Sequence, residues 1–243
     1  MSEGLSLQFA AGARPAVADV VRLAETAGER FGFGIAFRPP DAEGWIELLA
    51  HGLSFDCTGL APGPPDAQAP HHQSFALPAA LKRDRLETVT IRAGPHLAGG
   101  ERMLPVIRGL VGLGIALARL DGVKAVCWHP AGSWMQPGYF TGIATEWLHG
   151  GAFPALGLTT LQRDAEGHML SHGLAFLAGQ ELLLEPRPGA SAAEAGKLAV
   201  RLIDELVYSG PLTGKAHYSG PNGEELHAEP EAGGTLVRVR WVA

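Results

Sequence analysis

The chain has 243 residues, 46% of them hydrophobic and 18% charged, a balance that excludes intrinsic disorder and allows a sizeable core in one or two domains. Its formal net charge is −6 and it has no basic run or basic–aromatic stripe, which argues against a nucleic-acid partner. Two cysteines, Cys57 and Cys127, make no disulfide framework and fit a reducing cytoplasm. The first residues lack the basic and apolar segments of a signal peptide. The longest uncharged apolar stretch, Gly109 to Ala118, is too short for a membrane span, which needs roughly 20 residues.

Leu5 to Ala10 alternates apolar and polar residues and predicts a first strand. Arg14-Pro15 opens a helix whose apolar stripe is Val17, Val20, Val21, Ala24 and Phe31, closed by Phe31-Gly32-Phe33-Gly34. Trp45 to Cys57 reads as a long strand. Leu60 to Pro78, rich in Pro, Ala and Gly and carrying His71-His72, reads as an irregular insertion. Leu86 to Ala93 is the next strand. Glu101 to Leu120 is a helix apolar almost all round, which predicts burial on most sides. Within it, Gly109, Gly112 and Gly114 let another backbone come close at a cost in helix propensity. Val123 to Trp128 is a short apolar strand.

Tyr139 to His149 then predicts a helix, and Ala155 to Gln162 and His168 to Glu185 predict strands around an Asp164–Gly167 turn. Ser191 with Glu194 is a capping-box pattern before the stripe Leu198, Ala199, Leu202, Ile203, Leu206 and Val207. The chain closes with a hairpin turning at Gly233-Gly234. Val237, Val239 and Trp241 fall on one face of its last strand, Arg238 and Arg240 on the other.

One piece of text occurs twice. Leu49-Ala50-His51-Gly52-Leu53-Ser54-Phe55 returns as Leu170-Ser171-His172-Gly173-Leu174-Ala175-Phe176, at nearly half the chain length. Lys215 to Ser219 likewise takes the place of Lys124 to Trp128. The expectation is an α+β protein of two similar halves, residues 1–135 and 136–243. Each is a mainly antiparallel sheet with two helices, in a tandem ferredoxin-like arrangement.

From about Trp128 onward the chain resembles a bacterial family known only as a domain of unknown function. Its hallmark is Gly-Leu, then Phe-Gly, then Glu-Leu, followed by a helix and a final pair of strands. The matching positions are Gly173-Leu174 and Glu181-Leu182; Leu177-Ala178 stands in place of Phe-Gly. The resemblance implies no activity, substrate or cofactor.

Two sets of residues carry candidate chemistry. His51 and His172 are equivalent in the repeated text; on a pseudo-twofold axis they form a metal or acid–base pair, and otherwise each is a structural histidine. Cys127 and His129, two apart on a strand, share a side and suit a thiolate–imidazole pair, or else Cys127 packs as a small hydrophobe. Trp128 and Trp134 beside them suggest an aromatic-lined pocket. Glu181 and Glu185 share a strand face. Gly109 to Gly114 lacks the leading strand and the acidic residue of a dinucleotide fingerprint.

No cofactor or metal is therefore expected. The leading expectation is a non-catalytic cytoplasmic module that binds a protein partner or small ligand where the halves meet, through Trp128, His129, Trp134, His51 and His172, with a homodimer as a further partner. The alternative is a hydrolase or metal-assisted enzyme using His51, His172 and His129 or Cys127.

Overall fold

The computed structural model describes residues 3–26, 28, 31–187, 189 and 191–242. It is a mixed α+β structure with one eight-stranded and one six-stranded sheet, both mainly antiparallel. The chain divides into two compact units after Gly151, later than the expected boundary at 135. The physical reason is the helix directly after residue 135, which packs onto its own predecessor in the first unit.

The first unit runs β1 (Leu5–Ala10), α1 (Val17–Thr26), β2 (Gly34–Phe37), β3 (Trp45–Ala50), β4 (Leu53–Thr58), β5 (Gln73–Phe75), β6 (Leu86–Ala93), α2 (Leu104–Leu117), β7 (Ala125–Trp128), β8 (Ser133–Met135) and α3 (Pro137–Leu148). Its sheet order is β2-β3-β4-β6-β1-β7-β8-β5. The central run β4-β6-β1-β7 is antiparallel throughout, with β1 lying between β6 and β7, the two strands that α2 connects. That is a split β-α-β arrangement. It is flanked here by two extra strands on each side.

Both faces of this sheet are covered. Leu5, Leu7 and Phe9 of β1 are fully buried on the face that carries α2, and α3 packs on α2. Helix α2 is apolar nearly all round, as expected, and Arg108 is its one charged residue. Its glycines differ in what surrounds them. A Cβ on Gly114 would lie 2.7 Å from Leu5 Cδ1 and 3.1 Å from the Phe140 ring; one on Gly109 would meet Phe55 at 3.1 Å; one on Gly112 would meet nothing closer than 3.9 Å.

The other face lies under the insertion. Ala69, Ala125, Cys127 and Trp134 form a buried cluster with Leu77, Leu81 and Leu86 packed against it. Trp134 Nε1 donates to the Pro70 carbonyl (3.0 Å), and the Asp66 amide donates to the Thr88 carbonyl (3.0 Å). The polar residues of β1, which alternation alone would place in water, are sealed here. Ser6 and Gln8 are both fully buried. Gln8 Nε2 donates to Ser6 Oγ (3.1 Å), Thr88 Oγ1 donates to Gln8 Oε1 (3.0 Å), and His129 Nε2 shares a 2.9 Å hydrogen bond with Ser6 Oγ. Burial is tolerable because the groups satisfy one another.

The second unit runs α4 (Ala155–Leu158, a single turn), β9 (Thr160–Arg163), β10 (Met169–His172), α5 (Leu174–Ala178), β11 (Glu181–Leu184), α6 (Ala192–Ser209), β12 (Ala216–Ser219), β13 (Glu225–Pro230) and β14 (Leu236–Trp241). Its order is β12-β13-β14-β11-β10-β9, two meanders joined by the parallel pair β11–β14. The second sheet thus does not repeat the order of the first sheet's central run. Strand β12, matched by text to β7, is an edge strand with alternating exposure, whereas β7 is interior and wholly buried.

Helix α6 follows its sequence closely. Ser191 and Glu194 make a complete capping box, and the six buried residues are Leu198, Ala199, Leu202, Ile203, Leu206 and Val207. The expected strand from His168 to Glu185 is broken by α5, and one carboxylate organises that break. Glu181 accepts hydrogen bonds from the amides of Gly173 (2.8 Å), Leu174 (3.2 Å) and Ala175 (3.1 Å) and from Ser171 Oγ. Ser171 Oγ in turn accepts from the Leu182 amide (2.7 Å). The Gly-Leu and Glu-Leu text therefore closes one turn on itself, and Glu181 is held there as a structural acceptor.

The α2 glycines yield a stability test. Gly112→Ala removes a helix penalty of about 1 kcal/mol where space exists and is expected to stabilise the first unit by up to that amount. Gly114→Ala overpacks Leu5 and Phe140 and is expected to destabilise by about 1–3 kcal/mol. Urea unfolding of the full chain followed by tryptophan emission reads the first unit, which holds Trp45, Trp128, Trp134 and Trp147. Equal signs for the two variants contradict this packing.

Candidate functional site

The sequence candidates near the end of β7 are inside the first unit's sheet. Strand alternation splits them: Val126 and Trp128 point to the helix-covered face, Cys127 to the face under the insertion. Trp134 pairs with Cys127 in register and lies on that second face. Trp128 and Trp134 are 0% and 1% exposed on opposite sides of the sheet, so they line no common pocket. Each fills a separate half of the core.

Cys127 lies on β7, whereas His129 begins a 3-10 turn after it, so strand spacing does not relate them; both nevertheless belong to the buried polar seam with Ser6 and Gln8. Burial raises the Cys127 thiol well above its ordinary value, against hydrogen bonds from Ser6 and Gln8. His129 is lowered to about 4, chiefly by burial and then by Arg92, against Asp66. A thiolate–imidazole pair needs both shifts in the opposite sense. At neutral pH this is a thiol beside a neutral imidazole. Burial likewise raises Cys57 to about 12.

The repeated histidines occupy unlike places. His51 is not on a strand. His51 and Gly52 have φ of 51° and 78°, positive at both centres of a two-residue hairpin turn between Ala50 and Leu53, as a type I′ turn requires. His172 ends β10 in the second unit, where its Nε2 donates to Gln162 Oε1 (2.9 Å). What the copies have in common is a glycine at positive φ after the histidine, which ends a strand in both.

His51 nevertheless stands at a site. The β3–β4 turn, the first half of α2 and the end of α3 enclose a cleft of about 580 Å³ in the first unit. Leu53, Pro105, Leu148 and Phe31 form its mainly apolar wall. Gly109 and Gly112 contribute backbone with no side chain, so helix α2 is scooped where the cleft meets it.

Three nitrogen-bearing side chains line this wall: Arg108, His51 and His149. The Arg108 guanidinium lies 5.1 Å over the buried Trp147 ring and donates through Nη2 to the Leu148 carbonyl (3.0 Å). Its five donors exceed what that one carbonyl uses, and among the described residues no carboxylate pairs with it. The His149 ring stacks on Phe31, with centroids 6.0 Å apart and 27° between planes. No acidic side chain lines the cleft among the described residues.

His51 is the one sequence-predicted site residue that the cleft contains. Arg108, His149 and Phe31 were not anticipated as a set. A single charge in an otherwise apolar helix, directly before Gly109, is the signal that marks Arg108. His149 and Phe31 join it only through helix–helix packing. Among the described residues no helix is long and apolar enough to cross a membrane. Comparison with family models, with curated proteins and with solved structures finds no match for the chain.

The buried histidine gives the seam a pH signature. Unfolded, His129 takes up a proton near its ordinary value of 6.5; folded, only near 4. Its contribution is fully present above pH 6.5 and is lost as the pH falls toward 4, reaching roughly 3 kcal/mol over that window. Unfolding free energy measured between pH 7 and 4 is expected to fall less steeply in His129→Gln than in the parent. Parallel slopes would show that His129 is protonated within the fold.

Proposed function

We propose that the protein is a non-catalytic binding protein whose first unit takes a small ligand with an apolar body and one carboxylate. The ligand lies in the cleft between α2, α3 and the β3–β4 turn. Arg108 carries this reading: a part-buried guanidinium, fixed by stacking and by the Leu148 carbonyl, facing an apolar wall where no carboxylate of the described residues neutralises it. A charge-assisted hydrogen bond to a ligand carboxylate contributes about 1.5–3 kcal/mol, and His51 and His149 add donors at the rim. The apolar wall and the missing side chain at Gly112 make room for the ligand body.

The site sits within one unit and replaces the sequence-based placement around Trp128, His129 and Trp134. The catalytic alternative loses support because Cys127 and His129 are buried as a thiol beside a neutral imidazole.

Calorimetric titration of the full chain with 1-naphthoate and with 1-naphthalenemethanol tests the proposal. The carboxylate is expected to bind more tightly, and Arg108→Gln to weaken it by roughly tenfold or more while leaving the alcohol nearly unchanged. Gly112→Leu, which fills the cleft, is expected to abolish both. Equal affinity for acid and alcohol, or no effect of Arg108→Gln, would sink the carboxylate reading.

A further inference from the structure

The solvent face of the second sheet carries an unexplained cluster. His217 on β12 and His227 on β13 are directly opposite each other in the antiparallel register, and both are exposed. Glu225 lies two residues before His227 and so points to the same face. The imidazole rings are 4.4 Å apart at 71°. Both turn onto one oxygen: His217 Nδ1 is 2.9 Å and His227 Nε2 3.2 Å from Glu225 Oε1.

Neighbouring charges are already engaged. Lys215 pairs with Glu229 (3.4 Å), Arg238 with Glu231 and Glu185, and Arg240 with Glu185 (3.0 Å). Glu225 is the carboxylate on this face whose partners are imidazoles, and those two donors, His217 first, hold its carboxyl below the usual range. A salt-bridge ladder accounts for the arginines and lysine. It does not account for two histidines placed face to face.

The geometry points to a divalent transition-metal site made by His217 Nδ1, His227 Nε2 and Glu225 Oε1. These atoms lie within 4.8 Å of one another. Bonds of about 2.0–2.1 Å in a tetrahedral centre hold ligand atoms roughly 3.3–3.4 Å apart, so shifts of a few tenths of an ångström suffice on the His–Glu sides. Two imidazoles and one carboxylate suit zinc, and nickel or copper after it. The metal takes the place of two N–H···O hydrogen bonds, each imidazole presenting its unprotonated nitrogen inward. Three protein ligands leave the remaining position to water, on the side open to solvent. A second cluster, Asp164, Glu166 and His168, offers one imidazole only, and that ring is committed to Asp164 at 2.7 Å.

The test uses the tag-free, metal-stripped full chain, titrated with Zn²⁺ against a chromophoric chelator. One equivalent of zinc is expected to bind. His217→Gln and His227→Gln are each expected to weaken it by roughly tenfold or more, and Glu225→Gln to weaken it less. A His71→Gln/His72→Gln variant, altering the exposed pair in the insertion, is expected to bind as the parent does. Circular dichroism of each variant checks that these exposed substitutions leave the fold intact. Electron paramagnetic resonance of the Cu²⁺-loaded chain is expected to show coupling to two imidazole nitrogens. Absence of saturable binding, binding unchanged in His217→Gln and His227→Gln, or binding lost in the His71/His72 variant overturns the assignment.

Discussion

The first unit depends on satisfying polar groups that have no access to water. Strand β1 is buried along both faces, yet every second residue on one of them is polar. An unpaired buried hydroxyl or amide costs a few kilocalories, a large share of a domain's net stability. Ser6, Gln8, Thr88 and His129 offset that cost by bonding to one another. The insertion between β4 and β6 closes over this seam, and the Thr90 hydroxyl, opposite Ser6, is the one of its buried groups that finds no partner among the described residues. The burial of Cys127, His129 and Trp134 results from that closure.

With one face sealed by the insertion and the other by helices, room for a ligand arises where a helix lacks side chains. In α2 the glycines serve two ends. Gly109 and Gly114 admit Phe55, Leu5 and Phe140, bringing the helix down onto the sheet and α3. A Cβ on Gly112 would meet Leu148 and Phe31 only at ordinary contact distance, and this glycine lines the cleft beside Arg108. Close packing and an apolar recess are two results of one run of small residues. The type I′ turn then sets His51 at the edge of that recess, since its two positive-φ residues fix where the hairpin ends.

The second unit divides its work between two carboxylate arrangements. Glu181 is consumed locally, holding the amides that begin α5 and thereby bending the chain between β10 and β11. On the open face of the sheet, arginine and lysine are matched with glutamates, while Glu225 is left to the facing histidines. The first arrangement is internal to a turn; the second exists only because β12 and β13 pair in one register.

Local signals were legible in the chain itself. The capping box and six-residue stripe of α6, the all-round apolarity of α2, and the final hairpin with its alternating valines and arginines come from periodicity and turn chemistry, which act over a few residues. The α+β class rests on the same signals. The repeated His-Gly text was legible as well, but its meaning was not. Gly52 turns one strand into another, and Gly173 turns a strand into a helix, because the conformation after each glycine depends on the partner the next segment finds. Tertiary structure alone decided that the alternating face of β1 is buried, that Trp128 and Trp134 lie on opposite sides of a sheet, and that Arg108, His51 and His149 line one cleft. It also decided that His217 faces His227. Each of these is a contact between segments distant in sequence, made by strand pairing and helix packing, and no local propensity encodes it.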